Sequence, residues 1–182
     1  MLDLPSPWVQ RYAPLIPAGE VLDLACGGGR HARLLAALGH PVLALDRDPV
    51  ALARAAGTGI VTQAADLEAA DGGWPFAAGR FLGIVVTNYL HRPLMAPLAH
   101  SLAGAGVLIY ETFCAGNGQF GKPSNPDFLL APGELLAWAG ASGLVVVAFE
   151  EGLVRAPRVA MVQRLCAVKG DFPRTAAFLG PF

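Results

Sequence analysis

Short apolar runs closed by acidic or glycine-rich turns alternate along the chain with stretches whose apolar residues recur at helical spacing. Val21 to Ala25, apolar apart from Asp23, leads into Gly27-Gly28-Gly29 and reads as a strand entering a turn. Leu34, Leu35 and Leu38 then mark one face of a helix over Arg30 to Leu38, and Gly39 stands at its stop. Pro41 to Leu45 is a second strand ending in Asp46, Pro49 opens an alanine-rich helix to Ala56, and Ile60 to Ala65 is a third strand ending in Asp66. The alternation continues with a strand over Phe81 to Thr87, a helix over Pro93 to Leu102 and a strand over Gly106 to Glu111. A helix over Glu134 to Ala139 precedes two last strands, Leu144 to Phe149 and Val159 to Val168. Their connection lacks a helical pattern, which predicts an antiparallel hairpin. The opening segment Trp8 to Ile16 is amphipathic but interrupted by Pro14, and Pro17 follows it. The expected architecture is an open α/β sheet, mostly parallel, with an antiparallel edge.

Composition narrows the function. Hydrophobic residues are 54% and charged residues 15% of 182, as in a well-packed single domain spanning 1–182 in which one cleft serves all the chemistry. A net charge of -1 without a basic run excludes nucleic acid as the expected partner. Cys26, Cys114 and Cys166 show no CxxC spacing and suit a reducing cytoplasm, with no metal site expected. No window has the apolar length of a membrane span, and Met1-Leu2-Asp3-Leu4-Pro5 does not read as an export leader. The apolar tail Phe172 to Phe182 is a candidate cover for a partner or for the chain's own surface.

In an open α/β sheet, ligands sit beyond the carboxyl ends of the strands, and the first glycine loop marks the place. Gly27-x-Gly29-x-x-Ala32, with Asp46 downstream to meet ribose hydroxyls, satisfies the dinucleotide fingerprint and admits an NAD-dependent oxidoreductase. Asp23 points elsewhere: a carboxylate beside the loop repels a pyrophosphate but attracts the amino group of a sulfonium amino acid, directly or through water. In a purely structural reading, Asp23 hydrogen-bonds loop amides and the glycines let the helix pack on the sheet.

Val21-Leu-Asp-Leu-Ala-Cys-Gly-Gly-Gly-Arg-His31, Asp46 and Ala65-Asp66-Leu67 together resemble the class I S-adenosylmethionine-dependent methyltransferases. The Cys-Gly-x-Gly-Arg variant is similar to the small-molecule, tellurite-resistance-like branch. The resemblance covers residues 20 to 112. It implies a Rossmann-like doubly wound sheet of seven strands in the order 3-2-1-4-5-7-6, the last antiparallel. It also implies S-adenosyl-L-methionine as cofactor. Gly27 and Gly29 then approach the methionine part and Asp46 holds the ribose, with Asp23, Ala25 and Arg47 also counted among the cofactor-binding residues. Asp66 accepts from the adenine amino group, Leu67 offers a backbone N–H, and Asn88 closes the set at the end of strand four. One departure is Phe81-Leu82, where the family often has Phe-Asp.

Methyl transfer from a sulfonium is an in-line displacement, so positioning of the acceptor dominates. If a general base is used, His91 and Glu111 are the candidates at strand ends, with His31 read as a surface or cleft-wall residue. The loop Gln119 to Phe128 is read either as a lid on a small-molecule acceptor or as a rigid connection set by Pro123 and Pro126. Lys122, Arg155 and Arg158 are cations available to an anionic acceptor, and Trp8, Arg11 and Tyr12 are a candidate cover. A non-catalytic cofactor-binding regulator is the remaining alternative.

Overall fold

The computed structural model describes residues 4–69 and 73–172, and the tail beyond residue 172 lies outside them. Among the described residues, twelve α-helices and β-strands follow one another, with short 3-10 turns between some of them: α1 (Pro7–Tyr12), β1 (Val21–Leu24), α2 (Arg30–Ala37), β2 (Val42–Asp46), α3 (Pro49–Ala55), β3 (Ile60–Ala64), β4 (Phe81–Thr87), α4 (Met95–Ser101), β5 (Leu102–Phe113), α5 (Glu134–Ala141), β6 (Leu144–Val154) and β7 (Ala160–Lys169). The strands form one sheet in the order 3-2-1-4-5-7-6. Strands β1 to β5 are parallel, and β7 pairs antiparallel with both β5 and β6.

Burial on both faces explains why the central strands read as unbroken apolar runs. Leu22, Leu24, Ile84, Val86, Leu108 and Tyr110 point to the side covered by α4 and α5, where Leu98 and Leu135 meet them. Val21, Ala44, Val85 and Ile109 point to the opposite side, against Leu35, Leu52, Val9 and Tyr12 of α2, α3 and α1. Asp23 lies on this second face, in register with Ala44 and Val85 on the two flanking strands. The edge strand β3 is largely exposed and carries Thr62 and Gln63, which suits a strand with one unpaired edge.

Two strands are longer than the sequence pattern implies. β5 begins at Leu102, paired with Phe81, and rejoins the ladder at Val107 opposite Gly83. Ala103 to Gly106 bulge out between these points, with Ala105 at φ 61° and a Gly106 position where a Cβ would lie 2.8 Å from the Ala103 carbonyl oxygen. β6 continues through Glu150, Glu151 and Gly152 because the ladder with β7 runs to Val154 opposite Ala160.

Candidate functional site

The carboxyl ends of β1, β2, β3 and β4 surround the turn that follows β1. Ala25, Gly27 and Gly29 all have left-handed backbone, at φ 52°, 53° and 76°. The glycines serve different ends. A Cβ on Gly29 would come within 2.6 Å of Ala55 Cα, so its absence lets α2 pack against α3. A Cβ on Gly27 would meet nothing within 4 Å, leaving this backbone open to a ligand. The Cys26 amide donates to the Leu45 carbonyl at 3.0 Å, and the Gly27 amide donates to Asp46 Oδ2 at 2.8 Å. Asp46 Oδ1 accepts from the Asp48 amide at 3.0 Å. One carboxylate thus ties the glycine loop to the turn after β2.

Beside this loop is a cavity of about 220 Å³. Ala25, Asp46, Arg47, Asp66, Leu67 and Tyr89 line it above an apolar floor of Leu24, Leu45 and Ala65. Asp66 Oδ1 accepts from the Glu68 amide at 3.0 Å, an Asx turn that orients the carboxylate at the end of β3. Tyr89 fixes its backbone by accepting the Tyr110 hydroxyl at its carbonyl, 3.0 Å away. Burial first, and then the Glu68 carboxylate, hold the Tyr89 phenol well above its usual range, so it stays protonated.

Beneath the loop, Asp23 is 1% exposed and neither carboxylate oxygen has a hydrogen-bond partner. Burial raises its pKa to about 7; the Ala32 amide, which falls short of a formed bond, and the Arg30 guanidinium oppose the rise. The same burial, reinforced by Asp23 and Asp46, pushes the Cys26 thiol up to about 12, which makes it an inert residue of the core.

A second cavity, about 380 Å³, opens on the other side of the β4 terminus. Asn88 lines it and the adjacent Tyr89 lines the first, so two consecutive residues separate the cavities. Asn88 is non-glycine at φ 56°, a strained backbone held at the junction. The walls come from the segment before and within α1, the end of β5 at Glu111 and Phe113, and the β6–β7 turn. A buried polar chain fixes these walls. His31 Nε2 accepts from the Ser6 amide at 3.0 Å, which leaves the proton on Nδ1 to face Thr87 Oγ1 at 3.3 Å. Ser6 Oγ donates to Glu111 Oε2 at 3.0 Å, and the same oxygen accepts from Arg164 Nε at 2.7 Å. Arg164 also reaches Glu150 at 3.4 Å.

The architecture matches solved structures over most of the chain. A methyltransferase described as S-adenosylmethionine-dependent, from Methanosarcina mazei, superposes with a TM-score of 0.67 over 92% of this chain and 99% of its own, at 14% identity. TehB from Haemophilus influenzae gives 0.71 over 87% of this chain and 60% of its own, at 20% identity. The fold is that of the class I methyltransferases. Residues 21–103 match the family model described as a methyltransferase domain. A curated relative from Synechocystis, described as an uncharacterized methyltransferase, is 36% identical over 88 residues, which are 48% of this chain and 41% of that protein. The chain therefore spans less than half the length of that relative. The family match contains the glycine loop, Asp46, Asp66 and Asn88 but stops before most of β5, so the hairpin walls of the second cavity lie outside it.

Within this methyltransferase fold, Ala25, Asp46, Arg47, Asp66 and Leu67 come together around the first cavity, with Gly27 and Gly29 in the loop beside it. Asp23 is under the loop, and Asn88 is at the boundary with the second cavity. Of the two candidate bases, Glu111 lines the second cavity, whereas His91, at the turn before α4, lines neither. His31 is a correction to the sequence reading: it is 1% exposed rather than on the surface or a cleft wall. Gln119, Ser124 and Pro126 border a separate depression. Their loop is held by Arg92, which donates to the Asp127 and Leu129 carbonyls and pairs with Glu134, and by Asn117, which donates to the Pro123 carbonyl. Trp8 and Tyr12 pack in the core, and Trp8 Nε1 donates to the Leu165 carbonyl at 3.2 Å. The residues missed from sequence include Tyr89 and Ser6, as well as Arg30, Phe113 and Arg164 around the second cavity. Tyr89 had a signal, an aromatic next to the strand-four Asn88; Ser6 had only its place before Pro7 as a helix cap.

Proposed function

We propose that this chain is an S-adenosyl-L-methionine-dependent methyltransferase acting on a small molecule within a single domain. The observation that carries the reading is the pair of cavities meeting at Asn88 and Tyr89, one lined by two strand-end carboxylates and the other by the N-terminal segment and the last hairpin. The residues fit the cofactor. Gly27 leaves open backbone, Asp46 and Asp66 supply acceptors for ribose hydroxyls and an exocyclic amine, and the unpartnered Asp23 carboxylate supplies the negative field that a cationic amino acid needs. Arg47 and Leu67 complete the wall around the nucleoside, Leu67 offering its N–H, and Ala25 and Gly29 shape the turn.

When bound, the cofactor supplies an electrophilic methyl group on a sulfonium. The protein's part is to hold the acceptor's nucleophilic atom in line and to keep water out, which needs no obligatory base when that atom is already nucleophilic. Glu111, anchored by Arg164 and Ser6, is the group set in the acceptor cavity to orient a donor on the acceptor and to receive its proton when one is lost. His91 would take that role only through an acceptor long enough to reach beyond the cavity.

The carboxylates also argue against a dinucleotide. Asp46 already claims the Gly27 amide, and Asp23 sits below the start of α2, so the loop offers a pyrophosphate an anion rather than a free donor. Incubation with methyl-labelled cofactor and a fractionated cytoplasmic metabolite extract tests the activity. Label in a small-molecule fraction supports it; cofactor binding without transfer to any fraction favours a non-catalytic binding protein.

A further inference from the structure

The second cavity combines apolar walls with an excess of positive charge. Phe113, Val154 and Val162 provide the apolar surface, and Arg30, Arg158 and Arg164 face it together with one carboxylate, Glu111. The three guanidinium groups are not equivalent. Arg164 is neutralised by Glu111 at 2.7 Å and Glu150 at 3.4 Å. Among the described residues, Arg30 and Arg158 have no ion-pair partner: Arg30 Nη1 reaches only the Leu4 carbonyl at 3.4 Å, and the Arg158 guanidinium lies over the Phe113 ring, 4.7 Å from its centroid. A guanidinium keeps its charge at all accessible pH, and one resting over the face of a ring in the cavity wall presents planar donors beside it.

Two cations that form no ion pair among the described residues line one cavity and attract an anion, and the apolar walls reward a hydrocarbon or aromatic body. Glu111 sets an upper limit on charge, because a polyanion in the cavity would meet its carboxylate. Resting on the methyltransferase reading above, we propose that the methyl acceptor is a small amphipathic monoanion of the carboxylate type, with its anionic group held between Arg30 and Arg158 and its apolar body against Phe113, Val154 and Val162. The cavity, about 380 Å³, suits a metabolite rather than a chain segment. Of the cations in the β6–β7 turn, only Arg158 lines it; Arg155 does not. The turn therefore contributes one specific contact, not a diffuse positive patch.

The test is calorimetry on protein saturated with S-adenosylhomocysteine, using octanoate, 3-phenylpropionate and indole-3-acetate, each against its own primary amide. At least one carboxylate binds about tenfold or more tightly than its amide, a difference of about 1.4 kcal/mol. Arg30→Gln and Arg158→Gln each weaken that carboxylate by roughly fivefold or more, whereas Arg155→Gln, which removes the same charge from the same turn, leaves it unchanged. No carboxylate exceeding its amide, or a preference that survives both Arg30→Gln and Arg158→Gln, overturns the proposal. S-adenosylhomocysteine affinity is measured first in the same cell. Its absence sinks the methyltransferase reading, while its presence with no anion preference sinks only the acceptor class.

Discussion

The Gly27 amide donates to Asp46 Oδ2 across 2.8 Å, so the carboxylate that ends β2 also sets the position of the open loop after β1. Asp46 then has two tasks, holding the loop and offering its remaining lone pairs to a ribose. Asp46→Ala is expected to weaken S-adenosylhomocysteine by about 1–3 kcal/mol through lost charge-assisted hydrogen bonds. Calorimetry checks the affinity, and unchanged binding removes Asp46 from the site.

Gly27 and Gly29 separate binding from folding. Gly29→Ala drives a methyl group to 2.6 Å from Ala55 Cα at a left-handed φ of 76°, so its main effect is a loss of stability, about 2 kcal/mol or more, read by denaturant unfolding. Gly27→Ala meets no protein atom and carries only the backbone strain of about 1–2 kcal/mol. Its methyl group points into the open space beside the loop, so cofactor affinity falls more than stability does. The opposite ranking of the two variants contradicts the assignment of open backbone to Gly27.

Asp23 predicts a pH dependence. Its folded pKa is raised to about 7 from 3.8, so the folded state holds a proton that the unfolded chain releases between these values, and its contribution to stability is lost as pH rises through 7. Asp23→Asn therefore stabilises the cofactor-free protein at pH 8 more than at pH 4, as thermal melts at the two pH values show. A cationic ligand selects the ionised carboxylate, so affinity in the native protein rises with pH up to about 7 and then levels off, with proton release on binding below that point. The Asn variant loses this dependence along with affinity. A flat affinity profile in the native protein from pH 5 to pH 8 contradicts the role.

His31 acts in the other direction. Burial, aided by Arg30, lowers its pKa from 6.5 to about 3, so the unfolded chain takes up a proton that the folded one excludes. Stability from this site is complete above pH 6.5 and is lost as pH falls toward 3. Urea unfolding at pH 7 and pH 5 should show a smaller acid loss in His31→Gln than in the native protein. Equal losses in both remove His31 from the acid response.

The strands were legible because burial on both faces leaves Val21–Leu24 and Phe81–Thr87 no room for polar residues other than Asp23 and Thr87, whereas their order came with the resemblance to the methyltransferases. The carboxylates proposed to meet the nucleoside could be singled out for a related reason. Asp46 and Asp66 are the first charged residues after their uncharged strand runs, where a parallel sheet gathers its strand termini. The Ala103–Gly106 bulge was hidden because small residues look the same in a linker and in a ladder. The second cavity was hidden by distance. Ser6 meets Glu111, and Arg30 and Arg158 line one cavity, through an arrangement that no local pattern records. His31 was misplaced because its place at the start of α2 does not disclose that Ser6, from before α1, covers it.

The most direct measurement is parallel titration calorimetry of the protein with S-adenosylmethionine, S-adenosylhomocysteine and NADH. The account predicts binding of the first two and none of the third. Binding of NADH alone contradicts it and makes the Asp23 and Asp46 carboxylates residues whose roles were misjudged.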